Sequence, residues 1–484
     1  MNRMSFSDGL YFESICEYCC EALSNKKNIP EIIGRMRRFV SNRRKRANGY
    51  WKLPEEQKFF VESMDSLILA LENGANANVV KGIYKDLTSI IGYVNNKIKV
   101  TFLAQEESVW PSSQSVYENM LNDGRFDTQL VYVPFKHPNA TAKDDNMQIY
   151  KGMGYDIVNY DKYDMSKENP DIVFFTKPYN SIPSQFYIKE IEKIIDKTVY
   201  IPYGMETVYP LVRYGFQDYT HYKVWKHVVH GDFVKEVGKR YGYRDGENIV
   251  VWGHPRFDLL SRNYLDHIPA EWASKIKGKK VLCWCPHHTI EGPEKVSTWF
   301  ENYKTIFSLT EQYDNILLLW RPHPMLFGAL VNDGYMTQDE LNVFIKEKSE
   351  KENIILDLNS DYNMAFQISD AMITDGTTFS AAYLYMDRPL MLTIPDINMY
   401  YNSEEAEKGF YLGNTPEDIE HFFDIVSRGE DPKKDERIEY KNKTLFLPEG
   451  QTVAEYIAEN LVKSLKSDIE KDARRIVYGL TDSD

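Results

Sequence analysis

The sequence predicts an α/β protein with two consecutive Rossmann-like lobes that face a cleft, preceded by a helical extension. From about residue 97, short apolar runs that suit buried parallel strands alternate with helical patterns. The same alternation starts again after residue 260. We therefore expect a helical N-terminal region (1–96), a first lobe (97–260), a second lobe (261–467) and a charged tail (468–484).

The individual elements follow from hydrophobic periodicity. Residues 1–96 carry apolar side chains at helical spacing, as in Ile32, Ile33 and Met36. Strands are expected in the first lobe at 98–103, 128–133, 171–175, 198–201 and 249–252. In the second lobe they are expected at 279–284, 315–320, 353–357, 371–374 and 389–393. A helix near 453–464 is expected to end the fold, before a partly disordered tail.

Composition excludes several classes of protein. The net charge of −14 argues against general nucleic-acid binding, which needs a basic surface. No stretch is long and apolar enough to span a bilayer, and the start lacks the pattern of a secretory signal. Five cysteines in this length do not form a disulfide framework, so a reducing cytoplasm fits best. Cys16, Cys19 and Cys20 are interpreted as apolar helix residues, because a zinc site needs more ligands.

Polar segments follow three predicted strands of the second lobe. Ligands in open α/β sheets bind beyond the carboxyl ends of strands, so these segments are candidates for a binding site. Arg321 and His323 lie between stiffening prolines in the first of them. His287 and His288 lie in the second and could bind a metal or donate to a pyrophosphate; we favour phosphate and expect no metal site. A capping turn or a solvated loop is the alternative.

The third segment, residues 373–380, combines a strand end with a hydroxyl-rich turn and a helix start. Free backbone N–H groups there suit a phosphate, although Asp375 and the threonines could also serve as a simple N-cap. In the first lobe, Tyr203 and Glu206 follow a strand, and Glu206 is a candidate general base if its pKa is raised. Residues 253–258 are expected to form a fixed turn or hinge.

Five motifs occur in an order typical of one family. They are G-x-P-R-x-D at 253–258, the loop at 286–289, R-x-H-P at 321–324, the I-S-D-x-x-I-T-D-x-T-T segment at 368–378, and R-P at 388–389. As a set they resemble the CDP-glycerol glycerophosphotransferase family of teichoic-acid polymerases and primases. The resemblance covers roughly residues 97–460.

The resemblance implies a GT-B fold and a CDP-glycerol or CDP-ribitol donor held mainly by the second lobe, with no tightly bound cofactor. An acceptor hydroxyl, lipid-linked or on a polymer, would attack the donor's β-phosphorus and release CMP. By motif, the donor site comprises His287, His288, Arg321, His323, Asp375, Gly376, Thr377 and Thr378. The product would belong to a wall or capsule polymer.

The sequence departs from the family where a W-H-G-T segment is usual. The matching stretch is residues 202–205, with Tyr203 in place of the family's histidine base. Tyrosine titrates near pH ~10 and is a poor base. The catalytic candidates are therefore Glu206, His323 and Tyr203. A glycosyltransferase using a nucleotide sugar and a non-catalytic GT-B-like binding protein are the alternative functions.

A basic run lies in the helical region. It comprises Arg35, Arg37, Arg38, Arg43, Arg44, Lys45 and Arg46. Such a run attracts anionic lipid, and predicts a cytoplasmic protein in peripheral contact with the inner face of the plasma membrane. The alternative is a solvated face, or pairing with the protein's own acidic side chains.

Overall fold

The structure is a computed structural model. It describes the chain except residues 1–3, 47–50, 90–94, 136–145, 206, 209–211, 214, 215, 217, 243, 293, 294, 395 and 480–484. The contacts divide the chain into two compact units. The first comprises residues 1–203, 218–228 and 450–484, and the second comprises residues 204–217 and 229–449.

Two sheets organise the described residues, and the predicted α/β class with two Rossmann-like lobes is confirmed. The first has strand order β3-β2-β1-β4-β5-β6-β7, and the second β10-β9-β8-β11-β12-β13. The strand pairs whose register is described all run parallel. The strands are β1 (Ile98–Ala104), β2 (Phe126–Tyr132), β3 (Ile157–Asn159), β4 (Ile172–Phe175), β5 (Thr198–Tyr200), β6 (Lys226–Val229), β7 (Ile249–Val251), β8 (Lys280–Cys285), β9 (Ile316–Trp320), β10 (Ile354–Leu356), β11 (Ala371–Thr374), β12 (Leu390–Leu392) and β13 (Tyr411–Leu412).

Helices connect these strands and form most of the N-terminal region. They are α1 (Phe6–Ser24), α2 (Ile29–Lys45), α3 (Glu55–Glu72), α4 (Ala77–Ser89), α5 (Gln114–Asn122), α6 (Asn146–Gly152), α7 (Met165–Glu168), α8 (Ile188–Ile191), α9 (Tyr219–Lys223), α10 (Asp232–Tyr241), α11 (Arg256–Leu260), α12 (Ala270–Ile276), α13 (Trp299–Gln312), α14 (Leu326–Asn332), α15 (Gln338–Ser349), α16 (Asn363–Ile368), α17 (Thr377–Leu384), α18 (Ser403–Gly409), α19 (Pro416–Arg428), α20 (Lys434–Thr444) and α21 (Val453–Tyr478).

Local sequence signals explain where the long helices begin and end. At α19, the Thr415 hydroxyl accepts a hydrogen bond from the backbone N–H of Asp418, and the Asp418 carboxylate accepts one from the backbone N–H of Thr415. Pro416 occupies the first turn, and Gly429 ends the helix with φ of 67°. The same capping box, with Thr452 and Glu455, starts α21.

The core of the second unit lies against its sheet. Trp284 and Trp320 come from β8 and β9, and Trp299 from α13 packs on both with ring centroids 5.2 and 6.1 Å away. All three rings are buried. Such large aromatic side chains supply much apolar area and fix the strand ends that carry the polar segments.

Three strands and one helix end differ from the sequence-based expectation. β3, β6 and β13 were not predicted, because each contains at most two aliphatic residues, too few for an apolar run. The last helix does not end near residue 464 but continues to Tyr478. Ile469, Ala473 and Val477 are buried at helical spacing, which keeps most of the predicted charged tail helical.

Candidate functional site

Three polar segments meet at the carboxyl edge of the second sheet. They follow β8, β9 and β11, and the sheet order β9-β8-β11 places these strands side by side. The backbone N–H of Arg321 donates to the carbonyl of Trp284, and that of His323 to Pro286, at 2.8 and 3.0 Å. The loops after neighbouring strands are therefore joined directly.

Three histidines form one cluster at this edge. His287, His288 and His323, called here the histidine cluster, each offer a ring nitrogen, and the three nitrogens lie within 4.8 Å of one another. Their ring centroids are 4.4 Å apart for His287 and His288, 5.1 Å for His287 and His323, and 4.1 Å for His288 and His323. The structure thus brings together all three histidines predicted for the donor site.

The imidazoles of the histidine cluster are neutral at physiological pH. Burial, followed by the neighbouring His288, lowers the pKa of His287 to about 4. Burial and then the two other rings lower the pKa of His323 to about 3. Burial also lowers the pKa of His288. A neutral ring offers one N–H donor and one lone pair, so the cluster can donate to a phosphate oxygen or bind a metal, but adds no charge itself.

Backbone contacts orient two of these rings. The Nδ1 of His287 accepts from the Thr289 N–H at 3.3 Å and lies 2.9 Å from the Thr289 hydroxyl, and the Nδ1 of His323 accepts from the Met325 N–H at 3.2 Å. Both rings consequently have their Nε2 atoms available for a ligand. The Nδ1 of His288 is buried and has no hydrogen-bond partner among the described residues.

Asp375 joins the loops rather than presenting a free carboxylate. One oxygen accepts from the His287 N–H at 2.6 Å, and the other accepts from the Thr298 N–H at 2.7 Å and its hydroxyl at 3.2 Å. Burial raises the pKa of Asp375 to about 6, because desolvation outweighs these hydrogen bonds. Thr298 was not predicted; its only signal is a hydroxyl immediately before α13.

Arg321 lies at the same edge, but its guanidinium is bound to protein groups. It forms a buried ion pair with Asp357, and its Nη2 donates to the carbonyls of Asn359 and Ser360 at 2.6 and 3.3 Å. Its side chain is 6% exposed and that of Asp357 is 1% exposed. Asp357 was not singled out from the sequence, although a carboxylate directly after a strand is a usable signal.

The turn before α17 completes the edge. Gly376 precedes the first residue of that helix, and its N–H donates to the Thr374 hydroxyl at 2.9 Å. Thr378 lies in the first turn and is half-buried. The side chain of Thr377 lies outside the described part of the chain. The helix start is thus placed as predicted, beside Asp375.

The catalytic candidates of the first lobe are only partly described. Tyr203 is 36% exposed, and its hydroxyl lies 2.9 Å from that of Tyr179. Glu206 lies outside the described residues. His221 and His227, to which no role was assigned, stack with centroids 4.9 Å apart beside Tyr200. Burial lowers the pKa of both rings, that of His221 to about 4.

The basic run of the helical region is largely ion-paired within the first unit. Arg43 pairs with Asp8 at 2.6 Å in a buried position, and Arg37 pairs with Glu72 at 2.5 Å. Further pairs are Arg44 with Asp65, Arg46 with Asp196 and Arg35 with Glu31. Among the described residues, no helix is both long enough and apolar enough to cross a bilayer.

Comparison with known proteins places this edge in a family context. Residues 217–443 match the family described as CDP-Glycerol:Poly(glycerophosphate) glycerophosphotransferase. The family resemblance predicted from the sequence is confirmed. The matched segment contains the histidine cluster, Arg321 and Asp375. The glycerophosphotransferase-like segment therefore includes the whole carboxyl edge of the second sheet.

One relative supports the same family. A teichoic acid poly(glycerol phosphate) polymerase of Staphylococcus epidermidis is 28% identical over 188 residues. The alignment covers 37% of this chain and 23% of that polymerase. The chain thus spans about a quarter of the length of the relative that it matches.

Solved structures confirm a GT-B-like fold. A structure of the wall teichoic acid polymerase TagF matches with a TM-score of 0.50 and 15% identity, over 84% of this chain and 98% of that one. A putative UDP-N-acetylglucosamine 2-epimerase from Listeria monocytogenes matches with a TM-score of 0.53 and 14% identity, over 78% of this chain and 97% of that one. Identity this low supports the fold alone.

Proposed function

We propose that this chain transfers glycerol phosphate or ribitol phosphate from a CDP-linked donor to a hydroxyl acceptor and releases CMP. One observation carries the proposal: the histidine cluster lies at the strand ends of an α/β sheet, inside the segment that matches the glycerophosphotransferase family. The description of that family, CDP-Glycerol:Poly(glycerophosphate) glycerophosphotransferase, supports a CDP-linked alcohol as the donor. Which alcohol is carried remains part of the proposal.

The reaction requires positioning and charge stabilisation more than covalent help. The acceptor oxygen forms a bond to the β-phosphorus, the bond from that phosphorus to the bridging oxygen breaks, and CMP leaves with the electron pair. The Nε2 atoms of His287 and His323 and the N–H groups at the start of α17 would bind phosphate oxygens. Tyr203 and Glu206 are proposed for the acceptor's proton.

The acceptor is proposed to be a lipid-linked or polymeric hydroxyl in wall or capsule synthesis, with the enzyme cytoplasmic. The name of the Staphylococcus epidermidis relative supports a polymer product. Four arginines of the basic run are ion-paired, namely Arg37, Arg43, Arg44 and Arg46. These pairs favour an interaction of the basic run with the protein's own acidic side chains over peripheral contact with anionic lipid at the inner face of the plasma membrane, because paired cations attract lipid less. Vesicle co-sedimentation with and without anionic lipid tests this contact.

A CMP-release assay across CDP-alcohols, with a lipid-linked acceptor, tests the function. We expect release with CDP-glycerol or CDP-ribitol, and a loss of about 100–1000-fold in His323→Ala, the usual cost of removing one donor to a transition state. His267→Ala changes an exposed histidine and is the matched control.

Two other outcomes would replace the proposal. Turnover of a UDP-sugar without CMP release would make the chain a glycosyltransferase of the same fold. Binding of a CDP-alcohol without any turnover would favour a non-catalytic binding protein, which the tyrosine at position 203 supports. Absence of both binding and turnover would remove the donor assignment altogether.

A further inference from the structure

The histidine cluster brings the nitrogens of three possible metal ligands close together. Its three ligand nitrogens lie within 4.8 Å of one another. Nitrogens bound to one tetrahedral zinc ion, at about 2.0–2.1 Å each, lie about 3.3 Å apart. Small rotations of half-buried side chains close this difference. The buried Nδ1 of His288 lacks a hydrogen-bond partner among the described residues, so this nitrogen is not already committed to a protein group.

The charges of the side chains at this edge provide a second, independent reason to expect a metal ion there. The guanidinium of Arg321 is neutralised by Asp357, and Asp375 adds a carboxylate. A diphosphate brought to this edge would therefore meet hydrogen-bond donors with little net positive charge.

We propose that His287, His288 and His323 hold one transition-metal ion of the zinc class, whose open position binds a phosphate oxygen of the CDP-linked donor in place of direct hydrogen bonds from the rings. The proposal rests on the proposed function for the identity of that donor. Three imidazoles favour zinc or a similar ion over magnesium, which prefers oxygen ligands. The ion would supply the two positive charges that the side chains do not.

Groups around the rings suit this role, with an adjustment at two of the three rings. A metal-bound imidazole donates its second N–H to a neighbour, and the Thr289 hydroxyl lies 2.9 Å from the Nδ1 of His287. Asp375 fixes the backbone of the same residue through the 2.6 Å bond to its N–H. His287 and His323 each have to take a proton on Nδ1 when Nε2 binds the ion, and so give up the bonds from the Thr289 N–H and the Met325 N–H.

Titration of the EDTA-treated protein with Co²⁺, followed by visible absorption, tests the site without any assay of activity. We expect one ion per chain with the spectrum of a four-coordinate site, and displacement by Zn²⁺. His288→Ala should weaken binding by more than the 10–100-fold typical of losing a neighbour of a ligand. His267→Ala should bind as the wild type does. Addition of CDP should change the spectrum, because a phosphate oxygen enters the open position.

The wild-type titration does not depend on whether a variant folds. No Co²⁺ spectrum, or a spectrum that persists in His288→Ala, overturns the metal site. Binding of Co²⁺ with a spectrum that CDP leaves unchanged overturns the role of the open position. If the EDTA-treated protein releases CMP and gives no Co²⁺ spectrum when Co²⁺ is added, the metal site is refuted while the proposed transferase function stands. A normal Co²⁺ and CDP response without turnover of any CDP-alcohol would refute the transferase alone.

Discussion

The ion pair between Arg321 and Asp357 should act on stability far more than on donor binding. Both side chains are almost completely buried, and the guanidinium also donates to two carbonyls. Replacing Arg321 by Met leaves the carboxylate without its cation, and removing one partner of such a pair costs about 3–5 kcal/mol. The N–H and side-chain amide of Asn359 still donate to Asp357, so we expect about 3 kcal/mol.

A double-mutant cycle separates the pair from its surroundings. Arg321→Met combined with Asp357→Leu removes both charges, and the double variant should be less destabilised than the sum of the single variants by about 2 kcal/mol. Because a chain with two units need not unfold in one step, the readout is urea-dependent hydrogen exchange of peptides from β9 and β10.

The same variants report on the donor site. CDP-glycerol affinity of folded Arg321→Met, measured by calorimetry under conditions where it remains native, should change by less than about tenfold, or 1.4 kcal/mol. The reasoning is refuted if Arg321→Met is as stable as the wild type and loses more than about 100-fold in affinity. Such a result would mean that the arginine leaves Asp357 and binds phosphate.

Three further variants test packing, titration and capping. Gly231→Ala should cost at least about 2 kcal/mol, because its Cβ would lie 2.0 Å from the Thr444 carbonyl oxygen, whereas Gly124→Ala, with open space, should change urea stability by less than about 0.5 kcal/mol. Burial raises the pKa of Asp171 from 3.8 to about 6, so this carboxyl should contribute a fall in stability of about 3 kcal/mol as pH rises from 4 to 7, and the total fall should be smaller by that amount in Asp171→Asn. Thr452→Ala should destabilise α21 by about 1 kcal/mol in thermal melts.

Sequence reasoning located ten of the thirteen described strands and the edge where the polar segments meet. Buried parallel strands are short apolar runs, and the residues after them are forced to one edge of a sheet, so His287, His288 and His323 could be grouped from their positions alone. The hydrogen-bond and ion-pair partners of the side chains at that edge could not be predicted in the same way. Whether Arg321 faces a ligand or Asp357 depends on the direction of one side chain, which no periodicity encodes.

The role of Asp375 illustrates the same boundary. An aspartate before a helix reads as a cap or as part of a phosphate site. Its actual partners, the N–H groups of His287 and Thr298, are 88 and 77 residues away in the sequence. Contacts of that kind depend on tertiary packing, and they decide which residues support the site and which can touch a ligand.

The long helix α21 has a consequence for how the chain is made. It belongs to the first unit, where the Tyr11 hydroxyl donates to Asp472 and the Trp225 indole donates to Asp468, at 2.8 and 2.6 Å. The ribosome must therefore pass residue 478 before the first unit can be completed. The residues of the second unit, 204–217 and 229–449, are available to fold before that point. During synthesis, the face of α1 that packs against α21 should therefore remain uncovered until this last helix has been made.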